Sequence, residues 1–203
     1  ETPEIFGAEE LLLRRAASPE IANTLIERLT WWQDYAAREG ADLDNNPSPG
    51  NKAGGITTIL EKSLGAVAKA GSSPLTAVID YAQTVTAPGL SFMDSPGYDP
   101  CSVTGQVASG ANLIVFTTGR GSVSGYKPVP CIKVATNSDM YRRMSDDMEL
   151  NCGDIVEDGV SLEEKGHEMF ELFIKVASGE ETKSEALGFG GVEFVPWQIG
   201  AVM

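Results

Sequence analysis

The 203-residue sequence predicts an α/β protein: a mostly parallel sheet built from βαβ units flanked by helices, with an N-terminal helical segment. Three observations predict it. An apolar run, Leu113-Ile114-Val115-Phe116, opens abruptly into Thr117-Thr118-Gly119-Arg120-Gly121-Ser122, as a buried strand opens into a loop. Upstream, Gly89 to Met93 reads as a short strand, Asp94 to Pro100 as a loop and Ser102 to Gly110 as a short helix. With Leu113 to Phe116 these make a strand-helix-strand unit, whose crossover makes the two strands parallel. Third, Ile21, Leu25, Leu29, Trp32 and Ala36 fall at helical intervals on one face, stopped by Gly40.

The remaining elements follow in order. Ala8 to Ala17 is a helical pattern, with Glu1 and Glu4 before it either as first-turn acids or as ligands. Ser18-Pro19-Glu20 starts the long helix with a hydroxyl cap and a first-turn proline. Residues 42–55 form a Pro/Gly-rich loop whose prolines stiffen the presentation of Asn51 and Lys52. Ile56 to Ala70 and Leu75 to Thr86 read as helices, and the first offers free amides to a ligand at its start.

Ile132 to Ala135 is a strand, and Asn137-Ser138-Asp139 caps a short helix. Asp146, Asp147 and Glu149 form an acidic patch, a solvated turn in the commoner case and a metal site otherwise. Ile155-Val156 reads as an edge strand. Ser161 to Glu164 is a capping box opening a helix with Leu162, Met169, Phe170, Phe173 and Ala177 on its apolar face. Among the glycines of the tail, 180–203, stand Phe189, Phe194, Trp197 and Ile199, spaced to dock on a core or a neighbouring subunit. The expected division is a mainly helical segment, 1–88, and a Rossmann-like α/β segment, 89–203, together one compact piece of a longer chain.

A formal charge of −14 and a pI near 4.4 exclude nucleic acid and anionic membrane as partners, because their phosphates would be repelled over most of the surface. An anionic ligand then requires Lys52, Arg120, Lys127 and Lys133 to form a positive pocket inside a negative envelope. Cys101, Cys131 and Cys152 are odd in number and widely spaced, which indicates reduced thiols and a cytoplasmic setting. Cys101, in a candidate ligand loop, is either a reactive thiol or a small buried filler. No run is apolar and long enough to span a bilayer, and no signal peptide is present.

Arg120 between two glycines is the strongest local signal. The glycines permit positive φ, so successive N–H groups can form an anion nest, and the guanidinium adds a two-pronged donor for a carboxylate. A plain turn with a solvated arginine is the alternative. The Asp94–Asp99 and Thr117–Ser122 loops both leave carboxyl ends of strands, so they are expected to converge on one crevice. A histidine-based triad is excluded in this stretch, since His167 stands alone at the edge of a helix face, and no Gly-x-x-x-x-Gly-Lys-Ser/Thr motif or nucleotide cofactor is indicated.

Glu1-Thr2-Pro3-Glu4, Asn46 to Gly55 with Glu61-Lys62-Ser63-Leu64-Gly65, Met93 to Gly97, Phe116 to Ser122 and Glu193 to Trp197 together resemble the C-terminal region of the altronate and galactarate dehydratase family, over nearly the whole chain. One position departs: Ser124 stands where the family often has an aromatic residue before Gly125, which bears on the substrate pocket. The resemblance implies a hydro-lyase acting on a sugar acid with a divalent metal, iron or manganese. It also admits the large subunit of sulfolactate sulfo-lyase. Expected partners are a small anionic hydroxy acid, an N-terminal part of the same protein or a separate small subunit, and further copies of the chain.

Proton abstraction beside a carboxylate needs a clamp, positive charge or metal, a base and an acid. Arg120 with the amides of Gly119 and Gly121 fits the clamp, lined by Asn51, Thr117, Thr118 and Ser122. Lys52 is the candidate base or an electrostatic partner. Glu61, Asp94 and Asp99 are candidates for the acid, and Asp94 and Asp99 for metal ligation, with no choice among them. A non-catalytic binding or scaffold module, whose glycine loops merely join elements, is the reading from another class.

Overall fold

The computed structural model describes residues 1–41, 43, 49–53 and 55–200. The chain folds as an α/β protein with short parallel sheets, in two units: 1–110 with 196–203, and 111–195.

In the first unit a 3-10 turn, Thr2–Ile5, leads to helix α1, Glu9–Leu13, and then α2, Pro19–Arg38. Ser18 caps α2 by accepting from the Ile21 amide, with Pro19 at the first helical position. The predicted apolar face holds: Leu25, Leu29, Trp32 and Ala36 are buried, with Tyr35 beside them. Ile5, Ala8, Leu12, Leu25, Leu29, Val67 and Leu75 form the core, each large side chain contributing about 1.5–3 kcal/mol by leaving water.

Within the expected loop, Pro49–Ala53 forms a helical turn, α3. Asn46 to Ser48 and Gly54 lie outside the described residues. Helix α4, Ile59–Ala68, starts later than expected because Thr58 caps it.

Leu75 to Thr86 is not a helix. Leu75–Ile79 is strand β1, paired in parallel with β2, Leu90–Met93. Ser73-Pro74 imitates a helix start, but the Leu75 backbone is already engaged by Arg15 and Ala17 on its far side, and an extended chain is what exchanges such bonds. Helix α5, Asp99–Ala108, follows β2.

The second unit holds a three-stranded parallel sheet, ordered β3 (Ile114–Thr118), β4 (Cys131–Ala135), β5 (Leu150–Asn151). The predicted βαβ unit is therefore not formed: β2 pairs with β1 and β3 with β4, in different sheets. The lost inference is adjacency of their loops, since each partner was supplied by a strand that the sequence disguised (β1) or placed later (β4).

β4 is buried at every position. Ile132 and Val134 pack on α8, Leu162–Ala177, through Met169, Leu172, Phe173 and Val176. The α8 stripe is thus rotated from the expected one, leaving Leu162 and Phe170 at 78% and 57% exposure. Ile155-Val156 belongs to a helical turn, α7 (Asp154–Glu157), with Val156 exposed, not to an edge strand. Asn137 caps α6, Ser138–Arg143, and the Ser161–Glu164 capping box opens α8, as their residue types require. In the tail, Thr182 and Glu185 form a second capping box on a short turn, α9 (Lys183–Ala186).

Candidate functional site

In the first unit the carboxyl end of the β1/β2 pair is closed by the Asp94 amide, which donates to the Ile79 carbonyl at 2.9 Å. From there the 3-10 turn is sewn to the loop after β2. The Thr2 amide donates to the Ser95 carbonyl at 2.9 Å, and the Ser95 amide returns a bond to Thr2 Oγ1 at 3.2 Å. The Thr2 hydroxyl donates to Asp94 Oδ1 at 2.5 Å. The same oxygen accepts Trp32 Nε1–H at 2.8 Å, so helix α2 holds Asp94 from a second direction.

Residues three apart in a 3-10 turn lie on one side. Thr2 and Ile5 are both buried, which leaves Glu1 and Glu4 together on the other side. There Lys62 Nζ donates to Glu4 Oε1 at 2.5 Å, with both side chains about four-fifths buried. Burial, with the carboxylates of Glu4 and Asp99 and a hydrogen bond to Glu4 adding to it, pushes the Glu1 carboxyl up to about 9. A carboxylic acid, a carboxylate and an ammonium therefore meet at the carboxyl edge of a parallel sheet, where open α/β sheets place ligands.

Glu61, one residue before Lys62, does something else. Its Oε2 accepts the Thr57 amide at 2.7 Å and the Thr57 hydroxyl at 2.9 Å, and these bonds hold its exposed carboxyl below the ordinary range. Glu61 caps its own helix, and the amides expected to greet a ligand there are already taken by Glu61 and Thr58. Lys52 is exposed on α3 beside the half-buried Asn51, whose carbonyl accepts the Ile56 amide. Cys101 is fully buried and burial raises its thiol, which favours the filler over the reactive reading.

At the carboxyl end of β3 in the second unit, Thr118 Oγ1 accepts the amides of Arg120 at 3.2 Å and Gly121 at 3.1 Å. These N–H groups were the expected anion nest, and the loop's own threonine fills it. Gly121 has a φ of +92° and sits against Met144, where a Cβ would fall 2.0 Å from the sulfur. The Gly119 carbonyl accepts Asn137 Nδ2–H at 2.8 Å, tying the loop to the start of α6, and Ser122 Oγ accepts the Ser124 amide at 3.1 Å. Thr117 and Thr118 are half-buried, and the Arg120 side chain stays exposed, able to reach an anion with its guanidinium alone.

Lys127 is exposed, but Lys133 lies inside the sheet, with Nζ 3.8 Å from Glu149 and no hydrogen-bond partner among the described residues. It does not line a positive pocket. The reason is register: Lys133 sits in the middle of the central strand, all of whose side chains are covered.

Among the described residues no group of three or more His, Cys, Asp or Glu side chains is placed to hold a metal ion. Asp94 Oδ1 accepts two internal donors, and Asp99 is exposed at the start of α5. Of the acidic patch, Glu149 accepts the amides of Lys133 and Lys183, and Asp146 is exposed. His167 is exposed, and no helix among the described residues is long and apolar enough to cross a membrane.

Residues 1–202 match the family model of the D-galactarate/altronate dehydratase C-terminal region. The chain belongs to that family. Over 189 residues it is 39% identical to an altronate dehydratase of Bacillus subtilis, covering 93% of this chain and 38% of that protein. A galactarate dehydratase (L-threo-forming) of Escherichia coli is 39% identical over 181 residues, 89% of this chain and 35% of that protein. A (2R)-sulfolactate sulfo-lyase subunit beta of Chromohalobacter salexigens is 35% identical over 191 residues, 93% of this chain and 49% of that protein. The chain thus spans less than half the length of these family members.

From sequence, Lys52, Glu61 and Arg120 are the catalytic candidates, Lys62 shares the motif of Glu61, and Glu1 and Glu4 are either first-turn acids or ligands. The signal for them was present in the spacing of Glu1 and Glu4, which a 3-10 turn places side by side. For Trp32 there was none, because a helical tryptophan on a core face reads as packing.

Proposed function

We propose that this chain is the C-terminal catalytic region of a lyase that removes water from a sugar acid such as altronate or galactarate. Membership of the dehydratase family along the whole chain carries the reading. The cluster of Glu1, Glu4 and Lys62 supports it, because dehydration beside a carboxylate needs an acid for the departing hydroxyl and positive charge against the developing enediolate. Glu1, protonated at neutral pH, is suited to give that proton. Lys62, paired with Glu4, supplies fixed positive charge in a half-buried setting. In the second unit the exposed Arg120 offers a guanidinium suited to a carboxylate. Among the described residues no group of three or more His, Cys, Asp or Glu is placed to hold the iron or manganese that the family resemblance implies.

The sulfo-lyase reading is the alternative, supported by 35% identity to the subunit beta of that enzyme. The test is a substrate panel on the full-length polypeptide with Fe²⁺ or Mn²⁺ supplied. Keto-acid formation from altronate or galactarate is the expected result. Sulfite release from sulfolactate alone would select the second reading, and turnover of none of them would end both.

A further inference from the structure

We propose that Asp94 is the general base of this site, presenting Oδ2 to the substrate while Trp32 and Thr2 grip Oδ1 from behind. The inference rests on the dehydratase reading and adds the proton acceptor that the cluster of Glu1, Glu4 and Lys62 lacks. Asp94 is only 7% exposed, yet its two oxygens are unlike. Oδ1 accepts two hydrogen bonds, at 2.5 Å from the Thr2 hydroxyl and 2.8 Å from the Trp32 ring N–H. Oδ2 takes no hydrogen bond from any described residue and is not among the buried side-chain atoms left without one. Oδ2 is therefore neither spent on an internal donor nor sealed from the site, so it stays available to a ligand. Here one oxygen is anchored and the other is left open at the carboxyl edge of β2.

The anchoring has a direction. Trp32 is itself locked, fully buried with its ring stacked on Trp197 at 5.3 Å, so its N–H is a fixed donor rather than a swinging one. Thr2 lies on the same 3-10 turn as Glu4, so one short element joins the Asp94 carboxylate to the Glu4–Lys62 pair. In the reaction the α-carbon's C–H bond breaks and its proton goes to Asp94 Oδ2. The electron pair left behind first spreads onto the carboxylate as an enediolate, then forms the carbon–carbon double bond as the neighbouring C–O bond breaks. The departing oxygen keeps that bond's pair and takes the proton of Glu1, leaving as water. The enol product becomes the keto acid by proton exchange with solvent. Trp32 touches no substrate in this scheme and is a positioning residue.

The test compares full-length wild type with Asp94→Asn, Trp32→Phe and Trp31→Phe, following turnover of altronate and galactarate and the exchange of the substrate α-hydrogen in D₂O. Asp94→Asn keeps an oxygen for both donors and should fold, yet lose kcat by roughly a hundredfold or more together with α-hydrogen exchange. Trp32→Phe keeps the ring and loses the N–H, and should lower kcat roughly tenfold with KM little changed. Trp31→Phe alters the same aromatic cluster without touching Asp94 and should match wild type. Exchange persisting in Asp94→Asn, or kcat falling equally in both tryptophan variants, would overturn the assignment while the dehydratase reading stands. A wild type that turns over neither acid removes both.

Discussion

Lys62 Nζ lies 2.5 Å from Glu4 Oε1, while Glu61, its neighbour in sequence, folds back over Thr57 to cap the helix that carries both. Two adjacent charged residues on one helix thus have opposite assignments. Lys62→Met is expected to reduce lyase turnover by roughly a hundredfold. Glu61→Gln is expected to leave turnover within about twofold and show only in a lower thermal midpoint, since its contacts are local. Parallel kinetics and thermal melts of the two variants check the assignment, and the reverse pattern would return Glu61 to the site.

Glu1 makes stability depend on pH. Its carboxyl, ordinarily near 4.5, is raised to about 9 in the folded protein, so between these values the folded state holds a proton that the unfolded state has lost. Stability from this group is complete below the lower value and is lost as pH rises through the upper one. Urea midpoints should decline from about pH 5 to about pH 9. Glu1→Gln, neutral throughout, should flatten that slope, and an unchanged slope would place the proton elsewhere.

The buried pair in β4 is asymmetric. Glu149 keeps two backbone donors, at 2.5 Å from the Lys133 amide and 2.9 Å from the Lys183 amide, whereas Lys133 Nζ makes no hydrogen bond among the described residues. Lys133→Met should therefore change stability by no more than about 1 kcal/mol, because the carboxylate left behind is still held. Glu149→Ala strands an ammonium and two amides, and should cost about 3 kcal/mol or more. Urea unfolding of both variants, with Lys133→Met the milder, is the measurement.

In the Thr117–Ser122 loop, the contacts that hold the fold and the exposed cation belong to different residues. Thr118→Val removes the acceptor of two amides and should cost roughly 1–2 kcal/mol. Arg120→Ala should leave stability within about 0.5 kcal/mol, its side chain being exposed, but raise KM for an anionic substrate tenfold or more. A KM unmoved by Arg120→Ala would leave the arginine as a solvated turn residue.

What the sequence disclosed depended on how local the cause was. Ser18, Asn137 and the Ser161–Glu164 box announce their helices because a cap is written in residues three apart. The long helix announces its face through the spacing of Leu25, Leu29, Trp32 and Ala36. β1 stayed hidden because Leu75 to Ile79 becomes a strand only through partners at Arg15, Ala17 and β2, none of them near in sequence. With it went the expected pairing of β2 with β3. The site followed the same rule. The importance of the Asp94 loop and of Glu1-Thr2-Pro3-Glu4 was visible as motif, but the grip of Trp32 on Asp94 spans 62 positions and has no local signature.

The first unit is interrupted: it runs to Gly110, yields to the whole of 111–195 and resumes at Pro196. Trp197 stacks on Trp32, and its amide donates to the Tyr81 hydroxyl at 3.2 Å. During synthesis, the tryptophan that orients Asp94 must wait without this lid until every residue of the intervening stretch has left the ribosome. The ring that backs Trp32 arrives only after the whole of 111–195, so a nascent chain halted before Pro196 would carry Glu1, Glu4, Lys62 and Asp94 without that brace.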